Sequence, residues 1–282
     1  MRIKFITPAK TRAEDMHIAM CDVLRQGLRD RENIQLVYGN PDIVHVFGRW
    51  DRHHVSLVRK LRAKGLPVLF TCADGFAGAC RMCGMGMTVL SQRRCARAIA
   101  RHGACIHVGG RCEESIIKGI EPNALIMVMT SPLLTASTDT SSFLDNILYI
   151  YNKVCKESDE MARDSIRKTL DRNDVTQPVT RMFVQRLLYL AHLYKKGCIP
   201  QSFLDDTVSF MASSDYDEEE ARNILHKLKM LKYASQCMHL LAETSSLTEG
   251  FMPIRSKNGK DARRMKALVI NDTTPNEKNA LT

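Results

Sequence analysis

No apolar run in this 282-residue sequence approaches the ~18 residues that a membrane helix requires; the longer ones, such as residues 124–129, stop well short. Met1-Arg2 leads into a short strand-like run and not into the apolar core of a secretory signal, so a cytoplasmic protein is expected. Low-complexity composition is missing too. With 44% hydrophobic and 26% charged residues the chain has the material for a core, which argues against wholesale disorder, collagen-like repetition and a solenoid. Neither the P-loop nor the dinucleotide fingerprint occurs, and no carboxylate pair or Ser/His/Asp order nominates a nucleophile. No cofactor is expected.

Cysteine, by contrast, is plentiful at ten residues. Without a signal these read as buried small hydrophobes or reduced thiols, and Cys21, Cys155 and Cys237 lie in amphipathic helical patterns. Cys80 and Cys83, with Cys72 and Cys95 on either side, supply enough thiolates for a tetrahedral zinc site. A second close pair is lacking, and Cys95 falls in a helical pattern among arginines, so no metal is expected.

Positive charge is in excess, with 41 Lys and Arg against 31 Asp and Glu. It is unevenly spread: +8 over residues 1–140, −2 over 141–250 and +4 over 251–282. Such a bias raises the local concentration of phosphates, in a nucleotide, a nucleic acid or an anionic membrane surface. Arg93, Arg94, Arg97 and Arg101 fall mostly on one helix face, which reads as a solvated face or, functionally, as a peripheral membrane or acidic-partner contact.

Length suggests about two domains. Strand-like runs at residues 2–7, 34–38, 43–47, 67–71, 104–108 and 124–129 alternate with helical patterns at 11–28, 53–63, 88–102 and 112–119. That alternation predicts an α/β domain over residues 1–140, a Rossmann-like, mostly parallel sheet flanked by helices. Residues 39–42 are too few for a parallel crossover between neighbours, so the strands on either side either form an antiparallel hairpin or, the preferred reading, are not neighbours in the sheet. After a Ser/Thr-rich connector the pattern turns helical, predicting an all-α domain over residues 141–250 with helices at 143–156, 159–170, 178–196, 202–212 and 217–242. Asp217, Glu218, Glu219 and Glu220 open the last of these as a stabilising acidic first turn. A basic, partly irregular tail covers residues 251–282, where Asn258-Gly259 could close a hairpin.

The most informative stretch is Pro41-Asp42-Ile43-Val44-His45-Val46-Phe47-Gly48-Arg49-Trp50, a buried strand followed by polar residues at the carboxyl edge, where open α/β sheets bind ligands. Gly65-Leu66-Pro67-Val68-Leu69-Phe70-Thr71 and Asp74-Gly75 come next, then His107-Val108-Gly109-Gly110-Arg111 leading into a helix. As a series these resemble the N-terminal, acceptor-side half of GT-B glycosyltransferases over about residues 1–135, and the segment 148–153 resembles the family's closing helix. The sequence departs from the pattern in two ways. Thr7-Pro8-Ala9-Lys10-Thr11 has no glycine, and the length leaves no room for the family's second Rossmann-like donor domain. Glu113 and Glu121 have the spacing of the family's paired glutamates but lie in the other half, and read as coincidence.

The resemblance, with the strand-edge placement, implies a substrate-binding edge of His45, Gly48, Arg49, Asp51, Thr71, Asp74, Gly75 and Arg111, the arginines gripping phosphate or carboxylate bidentately. His45 alternates with apolar neighbours and reads equally as a hydrogen-bonded core residue; His53-His54 reads as a helix start. The implied activity is glycosyl transfer from a nucleotide sugar to a glycan acceptor, a partner protein completing the donor site. The alternative is a non-catalytic binding or scaffold protein derived from such an enzyme. Nucleic-acid binding, with the helices of residues 178–242 as the reader, is disfavoured because the helical region 141–250 carries a net −2 and no strongly basic recognition helix.

Overall fold

The computed structural model describes residues 1–7, 16–31, 33–72, 86–129, 140–175 and 177–271. They belong to two compact units, Met1–Glu160 and Met161–Thr282.

In the first unit, six strands form one sheet: β1 (Arg2–Ile6), β2 (Gln35–Leu36), β3 (Ile43–Phe47), β4 (Val68–Thr71), β5 (Cys105–Val108) and β6 (Ile126–Val128). Their order is β2-β1-β3-β4-β5-β6 and every pairing is parallel. The α/β, Rossmann-like class expected from the alternation is the class the chain forms. β2 and β3 are not neighbours; each pairs with β1, so residues 37–42 pass from one side of β1 to the other without a helix. Asp42 anchors the end of this short passage, accepting from the Arg2 backbone N–H at 2.7 Å and from its guanidinium at 2.9 Å.

Parallel strands covered on both faces are apolar throughout, and β3 and β4 are buried at every position. Successive side chains serve opposite faces. Val44, Val46, Val68, Phe70 and Ile106 pack with Val58 of α2 (Arg52–Ala63), Ile99 of α3 (Gly86–Arg101) and Ile117 of α4 (Arg111–Ile120). On the other face Ile3, Ile43, Phe47, Leu69 and Cys105 pack with Leu24 and Leu28 of α1 (Met16–Arg29) and with Phe143, Ile147 and Tyr151 of α5 (Thr140–Asp171). The break expected between residues 156 and 159 does not occur. No glycine or proline interrupts α5, and the buried Ser158 hydroxyl accepts from Arg62 Nη1 at 3.0 Å, so the polar stretch between the two expected helices is helical as well.

The second unit contains α6 (Pro178–Lys196), α7 (Gln201–Ser213), α8 (Glu218–Lys227), α9 (Leu231–Ser245) and α10 (Lys260–Lys266), with β7 (Ile199–Pro200) paired to β8 (Val269–Ile270). Phe183, Leu187, Leu204, Leu225, Leu241 and Met265 lie in its core. The acidic first turn is as expected, Asp217 capping α8 by accepting from the Glu220 N–H at 2.8 Å. The single helix expected over residues 217–242 is instead two, because the chain turns at Lys229, whose φ of 57° is left-handed without a glycine to announce it. Asn258-Gly259 closes no hairpin. Gly259 is the N-cap of α10, and Gln236 Oε1 accepts from the Asp261 N–H at 2.8 Å, in space that a Cβ on Gly259 would occupy. Among the described residues no helix is long and apolar enough to cross a membrane.

Candidate functional site

Doubly wound sheets bind ligands outside the carboxyl ends of their strands at the point where strand order reverses. Here that point lies between β1 and β3, the strand leading into Gly48, Arg49, Trp50 and Asp51. Gly48 is buried and its N–H donates to the Thr71 carbonyl at 2.9 Å, which locks the end of β3 onto β4. Arg49 is exposed, whereas Trp50 turns back and packs on Phe70 with ring centroids 5.0 Å apart. Asp51 caps α2. Its Oδ1 accepts from the His54 backbone N–H at 2.8 Å and from His54 Nδ1 at 2.9 Å. An ionised carboxylate only accepts, so Nδ1 carries a proton and Nε2 is the basic nitrogen of the neutral ring.

The His54 ring fills the space over Gly48, where an added Cβ would come within 2.3 Å of Cδ2. Gly48→Ala must therefore displace a buried histidine from its aspartate. It is expected to cost about 1–3 kcal/mol, measured by denaturant unfolding followed through Trp50, the chain's one tryptophan. An unchanged midpoint would contradict this placement of His54.

At the next strand ends, Thr71 closes β4, and Gly109, Gly110 and Arg111 follow β5. Gly110 is the N-cap of α4, and Glu113 reaches back to accept from the Gly109 N–H at 3.0 Å. Arg111 is exposed in the first turn. Glu113 and Glu121 sit at opposite ends of α4, with Glu121 bound to Arg101 at 2.7 Å, so they do not converge. Arg97 donates to the Ile120 carbonyl at 3.0 Å, so this residue and Arg101 both link α3 to the end of α4. Asp74, Gly75, Cys80 and Cys83 lie outside the described residues. Of their companions in the zinc reading, Cys72 is half-buried and Cys95 is buried, its thiol pKa raised chiefly by that burial.

Beneath the edge, a line of buried polar groups crosses the sheet. Tyr151 Oη lies 2.7 Å from His45 Nδ1, and His45 Nε2 lies 2.7 Å from Thr71 Oγ1. Thr71 Oγ1 lies 3.0 Å from His107 Nδ1, and His107 Nε2 lies 2.9 Å from the Met129 carbonyl. The carbonyl fixes the direction of every proton. It can only accept, so His107 carries its proton on Nε2 and Nδ1 accepts from the Thr71 hydroxyl. Thr71 then accepts from His45 Nε2–H, leaving His45 Nδ1 to accept from Tyr151. All four side chains are satisfied in their neutral forms.

Burial holds them neutral. The His45 pKa is well below 6.5, first through desolvation and then through His107 nearby, and His107 is lowered by desolvation against the opposing bond to Met129. Burial likewise pushes the Tyr151 phenol well above its ordinary value. His45 is thus the hydrogen-bonded core histidine that its alternation allowed, and Thr71 is its partner. Gly48, Arg49, Asp51 and Arg111 lie at the carboxyl edge itself. Sequence reasoning missed the Asp51–His54 pairing, although their three-residue spacing at a helix start carried the signal. Tyr151 gave none, being 106 positions from His45.

Comparisons with protein-family models, with curated proteins and with solved structures gave no match to this chain.

Proposed function

We propose that residues 1–160 form a glycosyltransferase-type binding module that takes the phosphate-bearing part of a nucleotide sugar, or a glycan acceptor, at the carboxyl edge of its sheet, a partner chain completing the donor site. One observation carries the reading: the resembling stretch 41–50 delivers Gly48 and Arg49 to the strand-order reversal of a parallel sheet, where this fold class binds ligands. The charge of +8 over residues 1–140 favours an anionic ligand. His45 and His107 are committed to each other through Thr71, and His54 is bound to Asp51 and buried against Gly48, so the reading rests on the exposed Arg49 and Arg111.

A specific observation favours the non-catalytic binding or scaffold reading for the chain acting alone. The described residues after Glu160 are helical apart from the two short strands β7 and β8, with no second parallel sheet of the kind a donor domain would need. Nucleotide sugars and nucleoside diphosphates are expected to stabilise the chain by about 1.4 kcal/mol at ten times Kd, and Arg49→Ala or Arg111→Ala to reduce the shift in Tm. No shift across the panel at millimolar concentration leaves the scaffold reading in its place.

A further inference from the structure

The net charge of −2 over residues 141–250 is an average over a surface on which the folded chain separates the signs. Residues 251–271 hold six Lys and Arg against the single Asp261, and α10 carries four of the six. The helix is held on the bundle by its buried Ala262 and Met265 and by Asp261, whose carboxylate accepts from Tyr194 Oη at 3.1 Å and from Gln236 Nε2 at 3.4 Å. Just before it, the Lys257 N–H donates to the Ser235 carbonyl at 3.0 Å. These bonds bring the basic stretch against the end of α6 and the start of α9, and each of those ends carries an exposed lysine. Lys195 follows Tyr194, and Lys232 lies one turn before Gln236, whose Nε2 donates to its carbonyl at 3.3 Å. Asp261 is used up inside this junction, and Lys266 is paired with Glu243 at 3.1 Å. Lys195, Lys232, Lys257, Lys260 and Arg263 are exposed and make no ion pair among the described residues.

We propose that this surface binds the phosphate backbone of a nucleic acid without reading its sequence. Five separate cations, borne by α6, α9, α10 and the stretch before α10, match a chain of phosphates better than a single one. A membrane surface fits less well. Docking of that kind inserts apolar side chains among the cations, and from residue 190 on Phe251 is the one large hydrophobic that the described residues leave exposed. Its carbonyl is held at 3.1 Å by Tyr216, beside the acidic turn of α8 and not among these lysines. An acidic peptide is also the weaker match. An exposed lysine gains little from one carboxylate in water, whereas duplex DNA carries a charge every ~1.7 Å and releases condensed counterions for each phosphate neutralised.

The test is fluorescence anisotropy of a labelled duplex of about 24 base pairs, titrated with the full chain between about 50 and 300 mM salt. The logarithm of the affinity is expected to fall with the logarithm of the salt concentration at a slope of about −4 to −5, about 0.9 for each of five phosphates. Two unrelated sequences should bind within about twofold of each other. The combined variant Lys257→Gln/Lys260→Gln/Arg263→Gln should weaken binding at least tenfold and flatten the slope by about 2.7. Lys195→Gln/Lys232→Gln should flatten it by about 1.8. Arg93→Gln/Arg94→Gln, exposed on α3 of the other unit, should change neither, which separates this surface from the overall charge of +10. Thermal unfolding shows whether each variant is folded, and if the triple variant is not, the Lys195/Lys232 variant decides. Absence of binding at the lowest salt, an equal loss in the Arg93/Arg94 variant, or unchanged affinity and slope in the folded variants would overturn the proposal. So would tighter binding to phosphatidylserine vesicles, or to polyglutamate of equal charge, than to the duplex.

Discussion

Lowering the pH from about 8 to about 5 is expected to destabilise the sheet unit through two buried side chains, His45 and His107. Both are neutral in the folded chain because their burial holds their pKa values below 6.5. Once unfolded, each takes up a proton as the pH falls through about 6.5. The unfolded state then binds more protons than the folded state, so stability is full above that pH and declines below it. Each ring contributes about 1.4 kcal/mol per pH unit until its own folded pKa is reached. Trp50 packs on Phe70 in the same unit, so denaturant unfolding followed by its fluorescence at a series of pH values reads the effect directly. A midpoint that stays level between pH 8 and pH 5 would mean that the rings are not held neutral.

Thr71→Val is expected to cost about 2–6 kcal/mol, a large share of the stability of a domain of this size. Valine keeps the shape of threonine, so no cavity opens. What is lost is the one oxygen that accepts from His45 Nε2–H and donates to His107 Nδ1, and both imidazoles are left buried with an unmade bond. Each orphan costs about 1–3 kcal/mol. Thr71→Ser keeps the hydroxyl and should retain most of the stability, apart from its missing methyl. Equal losses in the two variants would show that packing at this position matters and the hydrogen-bond chain does not.

Sequence reading and structure agree where a local rule decides. Apolar runs such as residues 43–47 are legible as strands because a parallel strand covered on both faces must be apolar. The short passage at residues 39–42 already excluded a parallel pairing of β2 with β3, since too few residues remained for a crossover between neighbours; that they are not an antiparallel hairpin needed the sheet itself. Non-local contacts were hidden. Nothing near His45 points to Tyr151, and nothing near Gly259 points to the Gln236 amide that satisfies the start of α10. Lys229 breaks a helical pattern by adopting a backbone conformation for which the sequence prepares no glycine or asparagine. At the candidate site the edge positions Gly48, Arg49 and Arg111 followed from strand ends. The contact that shapes it, the His54 ring over Gly48, needed the helix to be placed in space first.

The central claim, that the carboxyl edge of this sheet takes a phosphate-bearing ligand of the nucleotide-sugar class, is tested most directly by titrating a nucleotide sugar into the isotopically labelled chain and following backbone amides. The account predicts saturable shifts concentrated at Gly48, Arg49 and Asp51 and at Gly109, Gly110 and Arg111, with the helical unit unmoved. Shifts confined to residues 161–271, or a spectrum unchanged at millimolar ligand, would contradict it.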